Sequence, residues 1–168
     1  DGLERKDEVV AIKIPGGVQD GMQLRVSGKG NHAANGGPAG DLIVSIEELP
    51  HEDLQRDGKH LHYELFLSMP DVALGISVEV PTVSGNVKVG IAAGTQSGKI
   101  LRLKGKGLPN LEGYGTGDLL IHVAVWTPQT LTASDKKAME ALRKSESFKP
   151  NPSKKDKGLF SRIREMFS

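Results

Sequence analysis

The chain has 168 residues, of which 37% are hydrophobic and 26% charged, so wholesale disorder is excluded and there is material for one ordinary domain or two small ones. It contains no cysteine, which rules out a disulfide framework or a Cys-based zinc site within it, and no run of 18 apolar residues offers a membrane span. The formal net charge of +1 is unevenly spread: from Arg143 onward eight Lys and Arg stand against three Asp and Glu, which reads as a solvated basic tail rather than a nucleic-acid arm.

Taken in order, the chain reads as short strands punctuated by its 21 glycines. Val10, Ile12 and Ile14 alternate with Ala11 and Lys13, predicting a strand over residues 9–14 with one buried face. Gly17 and Gly21 bracket a reversal before a strand carrying Leu24 and Val26, so a hairpin is expected there. Gly28-Lys29-Gly30 opens a Gly-rich loop, and Gly40-Asp41-Leu42 starts a further strand on which Leu42, Val44 and Ile46 alternate.

Residues 61–67 alternate as a strand, Pro70 opens a single short helical turn, and Gly75 leads into a strand with Ile76, Val78 and Val80. Strands with Val87, Val89 and Ile91, with Leu101 and Leu103, and with Leu119, Ile121 and Val123 follow. Thr132 or Ser134 caps a helix running to about Ser145, with Asp135 in its first turn and Arg143 near its end. After Lys- and Pro-rich linker chemistry over residues 149–157, Leu159, Phe160, Ile163, Met166 and Phe167 recur at helical spacing, an amphipathic piece too short to be stable alone.

Residues 14–54 match residues 91–131 at a constant offset of 77, without a gap. Ile14, Gly17, Gln19, Gly21, Leu24, Arg25, Gly28, Lys29 and Gly30 meet Ile91, Gly94, Gln96, Gly98, Leu101, Arg102, Gly105, Lys106 and Gly107. Beyond a loop, Gly36, Gly40, Asp41, Leu42 and Leu54 meet Gly113, Gly117, Asp118, Leu119 and Leu131. The architecture is duplicated, but the elements over residues 59–84 have no earlier counterpart, so the first copy is expected to be truncated. The expected fold is therefore mainly β: two tandem small β-sandwich-like domains, the first truncated, then a C-terminal helix and a short amphipathic tail. The boundaries fall at residues 1–56, 57–130 and 131–168.

Chemistry-bearing motifs are scarce. Neither Gly-Lys-Gly triplet has the upstream Gly or following Ser or Thr of a phosphate loop, and no helix stands behind either, so both read as turns. His60 and His62 lie two apart on one strand without a suitably spaced third metal ligand, and His32, His51 and His122 are scattered. No nucleophile-elbow spacing occurs, and adjacent Glu47 and Glu48 point to opposite faces of a strand. No metal site and no catalysis are expected.

The runs IPGGVQDGMQLRVSGKGN, GPAGDLIV, LFLSMPDVALGISVEVPTVSG, GTQSGKILRLKGKGLP and GYGTGDLLIHV, in that order, resemble the two tandem C-terminal β-domains of DnaJ-type co-chaperones over residues 5–131. In the zinc-containing class a four-repeat C-x-x-C-x-G-x-G module interrupts the first β-domain, and Asp1-Gly2 stands where its last x-G would be. By this resemblance zinc belongs to that preceding module, and no cofactor is expected here. It also implies a non-enzymatic, cytoplasmic homodimer that captures exposed apolar segments of unfolded polypeptides and delivers them to a DnaK-type chaperone, with neither nucleic acid nor membrane as partner.

The matching client-binding positions are Val10 and Val44, with Ile12 and Ile46 next along the same faces, and binding is expected by β-strand addition. Dimerisation is expected through Leu159, Phe160, Ile163, Met166 and Phe167. The segment that stimulates ATP hydrolysis by DnaK, with its His-Pro-Asp motif, is not in this sequence, so the chain alone is not expected to drive that reaction. The alternative is a duplicated β-sandwich module for a non-protein ligand such as a carbohydrate, but one Trp and two Tyr provide few rings for stacking on sugars.

Overall fold

The computed structural model describes residues 7–33 and 36–153, which fall into two compact units divided between Thr127 and Pro128. In the first unit, β1 (Gln23–Val26) pairs antiparallel with β2 (Leu42–Ser45). A four-stranded sheet follows in the order β3 (Leu54–Asp57), β4 (His60–Ser68), β8 (Leu119–Trp126) and β7 (Ile100–Leu103), with β4 and β8 parallel at its centre. Between β4 and β8 the chain forms α1 (Met69–Leu74) and the antiparallel pair β5 (Ile76–Thr82) and β6 (Gly85–Ile91). The protein is thus mainly β, with several sheets and a C-terminal helix.

One core serves the second copy of the repeat. Leu61, Leu65 and Leu67 of β4 and Leu119, Ile121 and Val123 of β8 present their period-two faces to Val80, Val89 and Ile91 of the β5–β6 pair and to Val72 of α1. Leu119, Ile121 and Val80 are fully buried. Hydrophobic burial of this kind, roughly 1.5–3 kcal/mol per large side chain, is what two thin sheets need to stay together.

Local chemistry sets the element ends. Ser68 caps α1, its Oγ accepting the Asp71 amide at 3.2 Å, while Pro70 occupies the first turn, where a missing N–H costs nothing. β3 and β4 are joined by the two-residue loop Gly58-Lys59, and Gly58 has φ 59° as such a tight turn requires. In the second unit, α2 (Ala133–Arg143) starts at Thr132 with a reciprocal capping box to Asp135, one turn of 3-10 helix (Glu146–Phe148) follows, and all of α2 is exposed except half-buried Leu142.

The duplication is reproduced in matched backbone bonds around the shared turn and loop. Gly21 N donates to Ile46 O at 2.9 Å and Gly98 N to Val123 O at 2.7 Å; Gly30 N donates to Gly40 O at 2.8 Å and Gly107 N to Gly117 O at 2.9 Å. Two expectations need correction. The Gly-bracketed turn does not close a hairpin, because in the second copy β6 pairs with β5 and β7 with β8, so the turn carries the chain from one layer to the other. Residues 9–14 form no assigned strand, since their counterpart β6 takes its ladder from β5 and no strand plays that part for them among the described residues.

Candidate functional site

The apolar face of β2 is less buried than its counterpart in the second copy. Leu42, Val44 and Ile46 share one face of β2 and its continuation, and Leu24 and Val26 stand across from Val44 and Leu42. All five are half-buried, whereas Leu119, Ile121 and Val123, the counterparts of the β2 residues, are 0–2% exposed. The difference lies in β2 against β8, since Leu24 and Val26 of β1 are half-buried just as their counterparts Leu101 and Leu103 of β7 are. Among the expected client-binding residues, Val44 and Ile46 sit together on this face, while Val10 and Ile12 are half-buried on the unassigned segment that precedes the turn. Val9 beside them is 99% exposed.

Main-chain pairing differs between the copies as well. β8 has two neighbours, β7 on one side and β4 on the other. Its counterpart β2 has only β1, so among the described residues one edge of β2 lacks the strand that β4 supplies in the second copy. An edge of this kind presents a row of donors and acceptors to any extended chain.

The Gly-Lys-Gly triplets are structural, as their spacing implies. Asp41 receives Arg25 Nε at 2.5 Å and the Gly28 amide at 3.0 Å; Asp118 receives Arg102 Nε at 2.6 Å and the Gly105 amide at 2.8 Å. The Gly105 amide first, and the Arg102 guanidinium next, hold the Asp118 carboxyl below the usual carboxylate range. The histidines are used locally. His60 Nδ1 accepts the Asp118 amide at 3.0 Å, and His51 Nδ1 accepts the amides of Asp53 and Leu54.

Two features escape a reading of the sequence. His62 Nδ1 meets His122 Nε2 at 2.8 Å, and Phe66 meets Trp126 edge to face at 6.2 Å, all on the outer face of the four-stranded sheet. Their alternation along β4 and β8 is visible locally, but only the parallel register of two strands some sixty residues apart brings them together. Among the described residues no group of three or more His, Asp or Glu is placed to hold a metal ion, and no helix is long and apolar enough to cross a membrane. The expected dimerisation residues Leu159, Phe160, Ile163, Met166 and Phe167 lie outside the described residues.

The family model for the DnaJ C terminal domain matches residues 3–128. The chain is 52% identical over 167 residues to a chaperone protein DnaJ of Bacteroides fragilis, covering 99% of this chain and 42% of that protein. It is 44% identical over 170 residues to that of Salinibacter ruber and 45% identical over 166 residues to that of Bacillus cytotoxicus, covering 44% and 43% of those proteins. The chain therefore spans less than half the length of the curated relatives it matches.

Proposed function

The chain belongs to the DnaJ C-terminal domain family, and from that membership we propose that it is the polypeptide-holding part of a co-chaperone: it binds exposed apolar segments of unfolded proteins by strand addition, for delivery to a DnaK-type chaperone. The observation that supports the reading is that half-buried Val44 and Ile46 share one face of β2, whose far edge pairs with no strand among the described residues. An extended segment pairs its backbone with that edge and sets every second side chain against the apolar face. Main-chain pairing is indifferent to sequence, which suits a protein with many clients. The work is binding, without a reaction, and no cofactor takes part in it.

Dimerisation is assigned to Leu159, Phe160, Ile163, Met166 and Phe167, whose helical spacing makes an apolar stripe suited to a second copy. Zinc belongs, on this reading, to the module that precedes such a segment in the zinc-containing class, and the working compartment is the cytoplasm, with neither nucleic acid nor membrane as partner.

The test is fluorescence anisotropy with a labelled, unstructured apolar peptide, alongside suppression of aggregation of a denatured protein. Val44→Asp and Ile46→Asp are expected to weaken peptide binding at least about tenfold while the circular dichroism spectrum is unchanged, since a charge on a desolvated contact face loses its hydration. Unaltered affinity in both variants would sink the site. A chain ended at Asn151 is expected to be monomeric by light scattering, and a dimer there would remove the tail as the joint.

A further inference from the structure

β2 of the first copy is joined to β3, the edge strand of the second copy's sheet, by residues 47–53, all exposed and in no strand or helix, so the connection itself does not fix how one copy sits against the other. Modules joined in this way move independently unless a specific contact holds them. Arg56 of β3 makes such a contact. Its Nη1 donates to the carbonyl of Val18 at 2.8 Å and to the Glu48 carboxylate, its Nη2 to the carbonyl of Gly17 at 3.2 Å, and its Nε to the carbonyl of Gly58 at 2.9 Å. One guanidinium thereby ties the second copy's hairpin to the first copy's turn and to the connection. The planar fork of Arg suits four such acceptors in a way the single ammonium of Lys does not. The side chain is 18% exposed, so these bonds are partly shielded from water. Glu48 is itself held, its amide donating to Asp20 Oδ1 at 2.8 Å.

A second observation is independent of Arg56. Gly17 and Gly94 occupy the same position of the repeat with nearly the same backbone, φ 89° and 80°. A Cβ on Gly94 would meet nothing within 4 Å, but one on Gly17 would lie 2.5 Å from the carbonyl oxygen of Pro109 and 3.0 Å from the Leu111 amide. The first copy's turn is therefore seated on the second copy's 109–111 loop, with Arg56 beside it and a cavity of about 400 Å³ along the seam. Within the repeat this closeness is peculiar to the first copy, so the shared turn motif does not account for it.

We infer that Arg56 is a latch that locks the two repeat copies into one orientation, with the Gly17 turn seated on the Pro109–Leu111 loop as its strike plate. The inference concerns the rigidity of the first unit and does not depend on what the first copy binds. Its consequence is that the apolar face at Val44 and Ile46 is held at a fixed angle to the four-stranded sheet rather than swinging on the exposed connection.

The 168-residue chain contains no cysteine, which allows a direct test in it. Spin labels introduced through Ser27→Cys in the first copy and Lys88→Cys in the second report the distance between copies by double electron–electron resonance. A single narrow distribution is expected for the parent. Arg56→Gln is expected to broaden it at least twofold, and Arg56→Lys to give an intermediate width, with the amide exchange of β4 and β8 unchanged. Should Arg56→Gln unfold the first copy, Gly17→Ala against Gly94→Ala decides: both carry the same positive-φ cost, and only Gly17→Ala is expected to broaden the distribution. A parent width retained in folded Arg56→Gln, or the two glycine variants behaving alike, overturns the latch.

Discussion

Arg102 and Asp118 are bound side chain to side chain at 2.6 Å, and the carboxylate's other oxygen takes the Gly105 amide at 2.8 Å, a clamp repeated 77 residues earlier by Arg25, Asp41 and Gly28. The Asp118 side chain is 10% exposed and that of Asp41 is 24% exposed, so the later clamp is better shielded from water. Asp118→Asn is therefore expected to lower the melting temperature more than Asp41→Asn. The pH dependence follows from the depressed pKa, caused chiefly by the Gly105 amide and then by Arg102. A carboxyl that holds its proton more weakly when folded contributes stability that is whole above the usual carboxylate range and is lost as pH falls through the folded value. Melts of the parent and Asp118→Asn are expected to differ at neutral pH and to converge in acid; a constant gap at every pH excludes the carboxylate's charge as the cause.

The openness of the first copy makes a quantitative prediction. Ile121 is fully buried in β8, whereas Ile46 is half-buried beyond the end of β2. Ile121→Ala removes three carbons from a sealed core and is expected to cost about 3–4 kcal/mol. The same truncation at Ile46, where water already reaches the side chain, is expected to cost about 1 kcal/mol. Urea unfolding followed by the fluorescence of Trp126, the chain's one tryptophan, reads out Ile121→Ala, and amide exchange at Gly21 and Ile46 reads out Ile46→Ala. Equal costs would mean that the first copy's face is sealed after all.

What the sequence made legible, and what it did not, divides by the distance over which a pattern acts. The strands carrying Leu42 and Val44, Val87 and Ile91, and Leu119 to Val123, the turn at Pro70, and the helix capped by Thr132 rest on neighbours within a few residues, and each is found. The duplication was readable because a repeat carries its geometry with it. The parallel pairing of β4 with β8 was not, since no local signal joins strands separated by the whole β5–β7 excursion. β3 has one large apolar residue, Leu54, and so little periodicity, although Asp57-Gly58 was an available hairpin signal. Residues 9–14 have the alternation of a strand but no ladder among the described residues, and periodicity alone does not supply one. Val44 and Ile46 were placed on one face by alternation, whereas the contacts of Arg56 depend on how two copies meet and leave no trace in spacing.

Strand addition at the β2 edge makes a demand on the peptide rather than on the protein. In an added strand every second residue directs its N–H toward the edge, and the intervening ones direct theirs to solvent. N-methylating alternate residues of a bound apolar peptide is therefore expected to weaken binding at least about tenfold in one phase and hardly at all in the other, since each lost main-chain bond leaves an acceptor unpaired. Anisotropy titrations of the two methylated series supply the measurement. Equal tolerance in both phases would show that the peptide is held by its side chains alone, with no strand formed.

Two glycines are equivalent by the repeat and not by the fold. Gly40 and Gly117 each precede the clamp aspartate, and each donates its amide back across the loop at 2.9 Å, to Asn31 and Leu108 respectively. Added to Gly40, a Cβ would find only the Asn31 carbonyl oxygen, at an ordinary 3.7 Å; added to Gly117, it would lie 1.9 Å from the carbonyl oxygen of Lys59. That carbonyl belongs to the β3–β4 hairpin loop and already accepts the Leu108 amide at 2.8 Å, so it cannot withdraw without releasing a bond and lifting the hairpin from the sheet's end. Gly117→Ala is therefore expected to cost about 3 kcal/mol. Gly40→Ala has no such neighbour, and the alanine reduces the freedom of the unfolded chain, so its effect is expected to stay within about 0.5 kcal/mol. Urea denaturation of the two variants separates the cases, and similar midpoints would mean that the Lys59 loop does not rest against Gly117 in solution.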